Sequence, residues 1–341
     1  MTEENVKIDF SAGDAAAVAN LNAVHKRIMA EISKVMVGQE SVIEEILVAL
    51  FAGGHALLEG VPGLAKTLLI ESIAKATSLS FKRIQFTPDL MPSDITGTDV
   101  IQDDPATGSR TFKFLAGPVF ANIVLADEIN RTPPKTQAAL LEAMQEHRVS
   151  VGGTDHKLPE PFFVLATQNP LEQEGTYPLP EAQQDRFLFK IYVDYPTEEE
   201  EMQIIRRVSE NKFGKIEPVI NAEDILAIHD LVARIPVADA VVAYATKLVR
   251  ATRPGDPAAP EFINRYLSWG CGPRASINLI RAAKAYAALR GESCVSATDV
   301  ARMTQVVMRH RIGLNYTARA EGMSTTKVIE RLLEETKKYA D

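Results

Sequence analysis

Cysteine is almost missing from this chain. Only Cys271 and Cys294 occur in 341 residues, and neither belongs to a cluster with ligand spacing, so neither a zinc site nor a disulfide framework is supported. Both are expected to be buried or half-buried thiols in a reducing compartment. Long apolar runs are also missing. The longest, Ile46 to Leu58, is broken by Gly53, Gly54 and His55 and falls short of the roughly 20 residues that span a bilayer. No apolar core of secretory length follows the acidic start Met1-Thr2-Glu3-Glu4-Asn5, so the chain is expected to stay in the cytoplasm. Positive charge is never concentrated. The net charge is -8, and no Lys/Arg block of the kind that tracks a phosphate backbone appears, which argues against nucleic acid as the main partner.

What is present is apolar material in quantity, 46% of the residues. Single cores stop growing near roughly 250 residues, so two domains, each with its own core, are expected. Residues 14 to 36 carry Ala17, Val18, Leu21, Val24, Ile28, Ile32 and Val35 at spacings of three and four, an amphipathic helix ending near Gly38. A second helix starts near Glu40 and stops at Gly53-Gly54. Strands are predicted at His55–Leu58, Phe81–Phe86, Asn122–Ala126, Phe162–Ala166 and Phe187–Ile191. Several are apolar throughout, as in a parallel sheet covered by helices on both faces. Two hairpins are predicted, one around the turn cluster Asp103 to Gly108 (about residues 98–117) and one around Gly152-Gly153 (residues 148–160). After Tyr195-Pro196 helical periodicity takes over, interrupted by the proline-rich loop Arg253 to Pro260. The expected plan is a helix over residues 1–36, an α/β domain carrying the two hairpins over 37–194 and a smaller all-helical domain over 195–341.

The first strand runs into Gly60-Val61-Pro62-Gly63-Leu64-Ala65-Lys66-Thr67, with Leu68 continuing a helix. Strand, glycine-rich loop and helix form a phosphate cradle, because successive N–H groups and the positive helix end converge on the anion. Lys66 would neutralise the outer phosphates of ATP and the Thr67 hydroxyl would ligate Mg2+. The strict pattern has glycine before the lysine, and here Ala65 stands there. A second strand ends in Asp127-Glu128, with Asp127 assigned to Mg2+ and Glu128 to the attacking water, strand alternation being expected to point them apart. Asn169, after the next strand, offers a neutral amide that binds both phosphate and water without competing for the metal, although Asn-Pro is also a common turn. Arg186 stands just ahead of the last strand. It could serve phosphoryl transfer or only pair with Asp185 or Glu181. Arg274, at a helix start in the second domain, could reach nucleotide across the cleft or be simply solvated.

In order and spacing these elements resemble AAA+ ATPases, and within them the MoxR family, from Val37-Gly38-Gln39 to the C-terminal helices. The most specific string runs from Leu125-Ala126-Asp127-Glu128-Ile129-Asn130-Arg131 through Thr132-Pro133-Pro134 to Met144, and Ala65 is usual in that family. The resemblance implies that Val37 and Gly38 lie against adenine, that Arg186 is an arginine finger entering the adjacent subunit's site, and that Arg274 is a sensor in a helical lid. It implies that the hairpins are the family's two inserts, facing a central pore or a client. It also implies a homo-oligomeric, hexameric ring acting as a chaperone-like machine on partner complexes, often in metal cofactor insertion, with von Willebrand factor A domain proteins as partners. Read from residues alone, a small-molecule kinase, a nucleotide-gated scaffold with little turnover and a DNA-acting motor remain alternatives.

Overall fold

The computed structural model describes residues 14–103, 110–170, 175–210 and 213–336. After helices Asp14–Ser33 and Glu40–Phe51 the chain enters β1 (Ala56–Glu59), helix Lys66–Ala76 and β2 (Phe81–Gln85). The first hairpin, β3 (Gly97–Asp103) with β4 (Arg110–Ala116), follows a short helix Pro92–Thr96. The expected turn cluster lies largely outside the described residues. Then come β5 (Ile123–Asp127), helix Pro134–Glu146, and the second hairpin, β6 (Arg148–Val151) with β7 (Thr154–Lys157). Gly152 and Gly153 turn it at φ 57° and 82°, left-handed values that glycine adopts without steric cost. β8 (Phe163–Gln168) and β9 (Phe189–Tyr192) complete the α/β part.

β1, β2, β5, β8 and β9 form a five-stranded sheet in the order β2-β5-β8-β1-β9, and every neighbouring pair is parallel. All five strands therefore end at one edge, where Glu59, Asp127 and Gln168 lead into loops. In open sheets of this kind ligands bind at that edge.

The expectation of one core per domain fails. Two apolar clusters exist, but the sheet divides them. Alternate residues of each strand face opposite sides: Ala56, Leu58, Ile123, Leu125, Phe163 and Leu165 join the larger cluster, while Leu57, Val124, Ala126, Val164 and Ala166 join the smaller. The larger cluster continues without a break into the C-terminal helices, through Leu279, Ala282, Met303 and Leu332. The N-terminal helix causes this. It packs on helices Ala222–Arg234 and Pro273–Arg290 as well as on Lys66–Ala76, so it belongs to both parts rather than to the sheet domain alone.

The C-terminal part is helical, with Glu198–Ser209 opened by a Thr197–Glu200 capping box. Periodicity did not reveal a small antiparallel pair inside it, β10 (Leu267–Trp269) with β11 (Gly313–Leu314). Two- and three-residue strands carry too little alternation to register. Among the described residues no helix is long and apolar enough to cross a membrane. Cys271 is buried, its thiol pushed up to about 12 by burial, whereas Cys294 is exposed, contrary to expectation.

Candidate nucleotide site

The loop after β1 is built by three small residues with different tasks. At Gly60 a Cβ would stand 2.6 Å from the Val193 carbonyl oxygen, so the close approach of two backbones demands glycine. Gly63 has φ 88° and nothing within 4 Å of its absent Cβ, so conformation, not space, selects it. Ala65 sits in the same left-handed region, φ 52°, as the residue before helix Lys66–Ala76. This explains why glycine is the general rule there: an L side chain in that region costs roughly 1–2 kcal/mol. No side chain caps the helix, which leaves its first N–H groups aimed at the loop. Lys66 Nζ donates to the Gly60 carbonyl at 2.6 Å. Burial lowers the ammonium's pKa, against the opposing pull of Asp127 and then Glu128.

The acidic pair is arranged differently from the alternating strand end expected. Asp127 closes β5, but Glu128 has φ 58° and already belongs to the turn into Ile129–Arg131. The divergence of the two carboxylates thus comes from a left-handed residue. Thr167, buried on the neighbouring strand β8, ties the pair together. Its hydroxyl donates to Asp127 Oδ1 at 2.6 Å and accepts the Glu128 N–H at 2.8 Å. From β2, Arg83 donates to Asp127 Oδ2 at 2.6 and 3.1 Å, and Gln85 Nε2 donates to Glu128 Oε2 at 3.0 Å. Arg131 Nη1 reaches the same Glu128 oxygen at 2.9 Å. Sequence reasoning missed Thr167, Arg83, Gln85 and Arg131. The two-residue spacing of Arg83 and Gln85 places them on one side of β2, but only the sheet order makes β5 their neighbour.

Asn169 is buried directly after β8, the strand between β1 and β5, and the Gly60 N–H donates to the Gln168 carbonyl at 3.4 Å. Sheet order thus brings the ends of β1, β5 and β8, with Lys66, Thr67, Asp127, Glu128 and Asn169, to one edge. The donor set fits magnesium: one hydroxyl and one carboxylate, with water and phosphate oxygens completing an octahedron. No group of three or more His, Cys, Asp or Glu side chains gathers among the described residues, so such an ion would depend on the nucleotide for further ligands.

Beside the loop lies a largely apolar cavity of about 270 Å³ whose walls include Val37, Leu64, Leu68, Ile204, Val208 and Phe213. Its size and apolar walls suit a heterocyclic base. Gly38 is not part of its wall. It is left-handed at φ 69°, and the Glu200 carboxylate fills the space where its Cβ would be. Arg207, on helix Glu198–Ser209, donates to the carbonyls of Ser33 at 2.9 Å and Met36 at 3.2 Å, which fixes this helix beside the cavity.

Arg186 and Arg274 stand elsewhere. Arg186 precedes β9, and the Leu188 N–H beside it donates to the His55 carbonyl at the start of β1, the edge opposite the phosphate loop. Two strand ends four residues apart are separated by about 10 Å or more. Neither expected pairing partner holds Arg186; its Nη1 donates to the Leu141 carbonyl at 3.2 Å. Arg274, at the start of helix Pro273–Arg290, is held beside it. It donates to Asp185 Oδ2 at 3.1 Å, next to Arg186.

A five-stranded parallel sheet with a phosphate loop, an acidic strand end beside it and a helical lid defines the AAA+ class of ATPases. Residues 55–189 match the model of the ATPase family associated with various cellular activities, and residues 261–332 match the AAA lid domain. The chaperone MoxR1 of Mycobacterium tuberculosis is 45% identical over 91% of this chain and 81% of its own. Protein MoxR of Methylorubrum extorquens is 30% identical over 83% and 86%. A crystal structure of a proposed ATPase from Cytophaga hutchinsonii superposes with a TM-score of 0.86 at 44% identity, covering 93% of this chain and 95% of that one. This chain belongs to the MoxR family of AAA+ ATPases.

Proposed function

We propose that this protein is a magnesium-dependent ATP-hydrolysing motor that works as a homo-oligomeric, hexameric ring in the cytoplasm, with chaperone-like remodelling or maturation of partner protein complexes as its task. The observation that carries the hydrolytic part is the convergence of Lys66, Asp127, Glu128 and Asn169 on one sheet edge, with Thr167 linking the acidic pair. Lys66 leaves the Gly60 carbonyl for the outer phosphates. Thr67 and Asp127 would hold magnesium, which when bound offsets the phosphate charge. Glu128, aimed by Gln85 and Arg131, orients and deprotonates water, and Asn169 hydrogen-bonds both that water and the terminal phosphate. Val37 packs on the base. Gly38 acts one step removed, by giving the turn its shape.

Ring assembly is favoured by where the arginines lie. Arg186 is too far from its own loop to serve it, and Arg274 shares its edge, so both are assigned to the adjacent subunit's site. The chaperone role rests on the likeness to MoxR1, named a chaperone. Client complexes, von Willebrand factor A domain partners and metal cofactor insertion extend that reading.

The test is direct. Lys66→Ala is expected to abolish Mg-ATP binding measured by calorimetric titration, whereas Glu128→Gln binds Mg-ATP normally and loses turnover by about 10²-fold or more. Unchanged affinity in Lys66→Ala would remove the phosphate-loop assignment.

A further inference from the structure

The segment Asp185 to Leu188 is gripped by the lid to a degree that ordinary packing does not require. Arg311, just beyond helix Ala297–Met308, is only 2% exposed. Its Nε donates to Asp185 Oδ1 at 2.7 Å, Nη2 to the carbonyls of Asp185 at 3.0 Å and Phe187 at 2.5 Å, and Nη1 to the Leu188 carbonyl at 3.1 Å. Nη1 also meets the Val307 carbonyl in the last turn of that helix. The adjoining His310 Nε2 lies 3.1 Å from the Phe187 carbonyl. The other Asp185 oxygen, Oδ2, takes Arg274 at 3.1 Å. At the far end of β9, Arg309 lies over the Tyr192 ring at 4.4 Å.

One carboxylate therefore holds two lid arginines and immediately precedes Arg186. A guanidinium withdrawn from water needs a counter-charge, and its removal leaves a bare buried cation. Asp185 is that counter-charge for Arg311. Because the partners are short, directional and on both sides of Asp185, the lid cannot rotate against β9 without displacing the residue next in the chain. Helix Glu198–Ser209, which walls the nucleotide cavity, holds the end of helix Asp14–Ser33 through Arg207, and that helix packs on Pro273–Arg290, the bearer of Arg274, so a change in that cavity has a packed path to Asp185 and Arg186.

We propose that Asp185 is a positioning residue through which the lid of one subunit, by way of Arg311 and Arg274, sets the aim of Arg186 and so governs hydrolysis in the next subunit. This rests on the reading of Arg186 as a finger acting between subunits. It implies that the occupancy of one site regulates its neighbour through two charge pairs rather than through the sheet.

The experiment uses the full chain in its assembled form. Asp185→Asn keeps the shape and drops the charge. Its affinity for Mg-ADP is expected to stay within about twofold, while kcat falls by about 10–100-fold with KM little changed, the scale of a misplaced catalytic group. Co-assembly with Glu128→Gln subunits, which have an intact finger and a dead site, should raise turnover per Asp185→Asn subunit several-fold over co-assembly with Asp185→Asn alone. A merely misfolded subunit would show no such rescue. Wild-type turnover by Asp185→Asn, or a loss that Glu128→Gln subunits do not relieve, overturns the proposal. Should Asp185→Asn fail to fold, Arg311→Lys decides: it keeps the charge but loses the forked grip on Asp185, so it must show a smaller loss relieved in the same way, and wild-type turnover overturns the proposal. Arg186→Ala separates the two readings. If it turns over normally the finger itself is wrong; if it is inactive while Asp185→Asn is normal, only the coupling is wrong.

Discussion

Ala65 shows how much chemistry one dihedral angle carries. From the sequence it is a small departure from a glycine rule. In the structure it is an L residue held at φ 52° because the loop must turn there to present N–H groups to phosphate. Ala65→Gly should therefore raise the stability of the nucleotide-free protein by about 1 kcal/mol or less, the relief of strain being partly offset by the greater freedom of glycine in the unfolded chain. Ala65→Val should lower stability by more, since a β-branched side chain suits this region least. Thermal unfolding midpoints of the three proteins check this, and a lower midpoint for Ala65→Gly would contradict the strain argument. At this scale Lys66, Thr67, Asp127 and Glu128 were legible because each stands at a fixed offset from a glycine or a strand end. Thr167 and Gln85 were not, because a threonine and a glutamine at strand ends are unremarkable until another strand is laid beside them.

Elements are joined by groups that periodicity cannot see, and His55 is one. It lies just before β1, buried, with Nε2 3.1 Å from the Met144 carbonyl and Nδ1 accepting the Val164 N–H at 3.1 Å. Both contacts are satisfied by the neutral ring alone, since a protonated Nδ1 would face another donor. Burial, the largest cause, pushes its pKa down to about 4 from 6.5. The sign follows: the unfolded ring takes up a proton as the pH falls below about 6.5 while the folded ring does not. This contribution to stability is thus complete above pH 6.5 and is lost progressively toward pH 4, amounting to about 3 kcal/mol. His229 and His310 are shifted in the same direction by burial. Denaturant midpoints should decline from pH 6.5 to 4, and His55→Asn should flatten that slope while being less stable at pH 8. An identical slope in the variant would assign the acid sensitivity elsewhere. The hairpins tell a related story. Gly152-Gly153 announced the second one, but only the fold stacks His156 on Phe114 at 3.8 Å and so docks the second hairpin on the first.

For the whole molecule the decisive fact is that the phosphate loop and Arg186 lie at opposite edges of one parallel sheet. No chain completes its own site on this reading. Arg186→Ala is expected to keep its affinity for Mg-ATP and to lose turnover by about 10³-fold or more. Mixing it with Glu128→Gln, itself inactive, should restore measurable hydrolysis, because the Glu128→Gln subunit lends its finger to an intact Arg186→Ala site. Two inactive variants that stay inactive together would remove the shared-site reading. The sequence by itself determined the local structure: a glycine-rich loop between a strand and a helix, a strand that ends in carboxylates, a parallel sheet with a helical part after it. These follow from contacts between near neighbours in the chain and from the period of apolar residues. The tertiary structure alone decided that the sheet, not the domain boundary, divides the core, that Arg83, Gln85 and Thr167 join the acidic pair, and that Arg274 and Arg311 meet at Asp185. Each of these depends on which strand lies beside which and on how the lid is seated. Such long-range pairings arise from the packing of whole faces, and no spacing within a single segment records them.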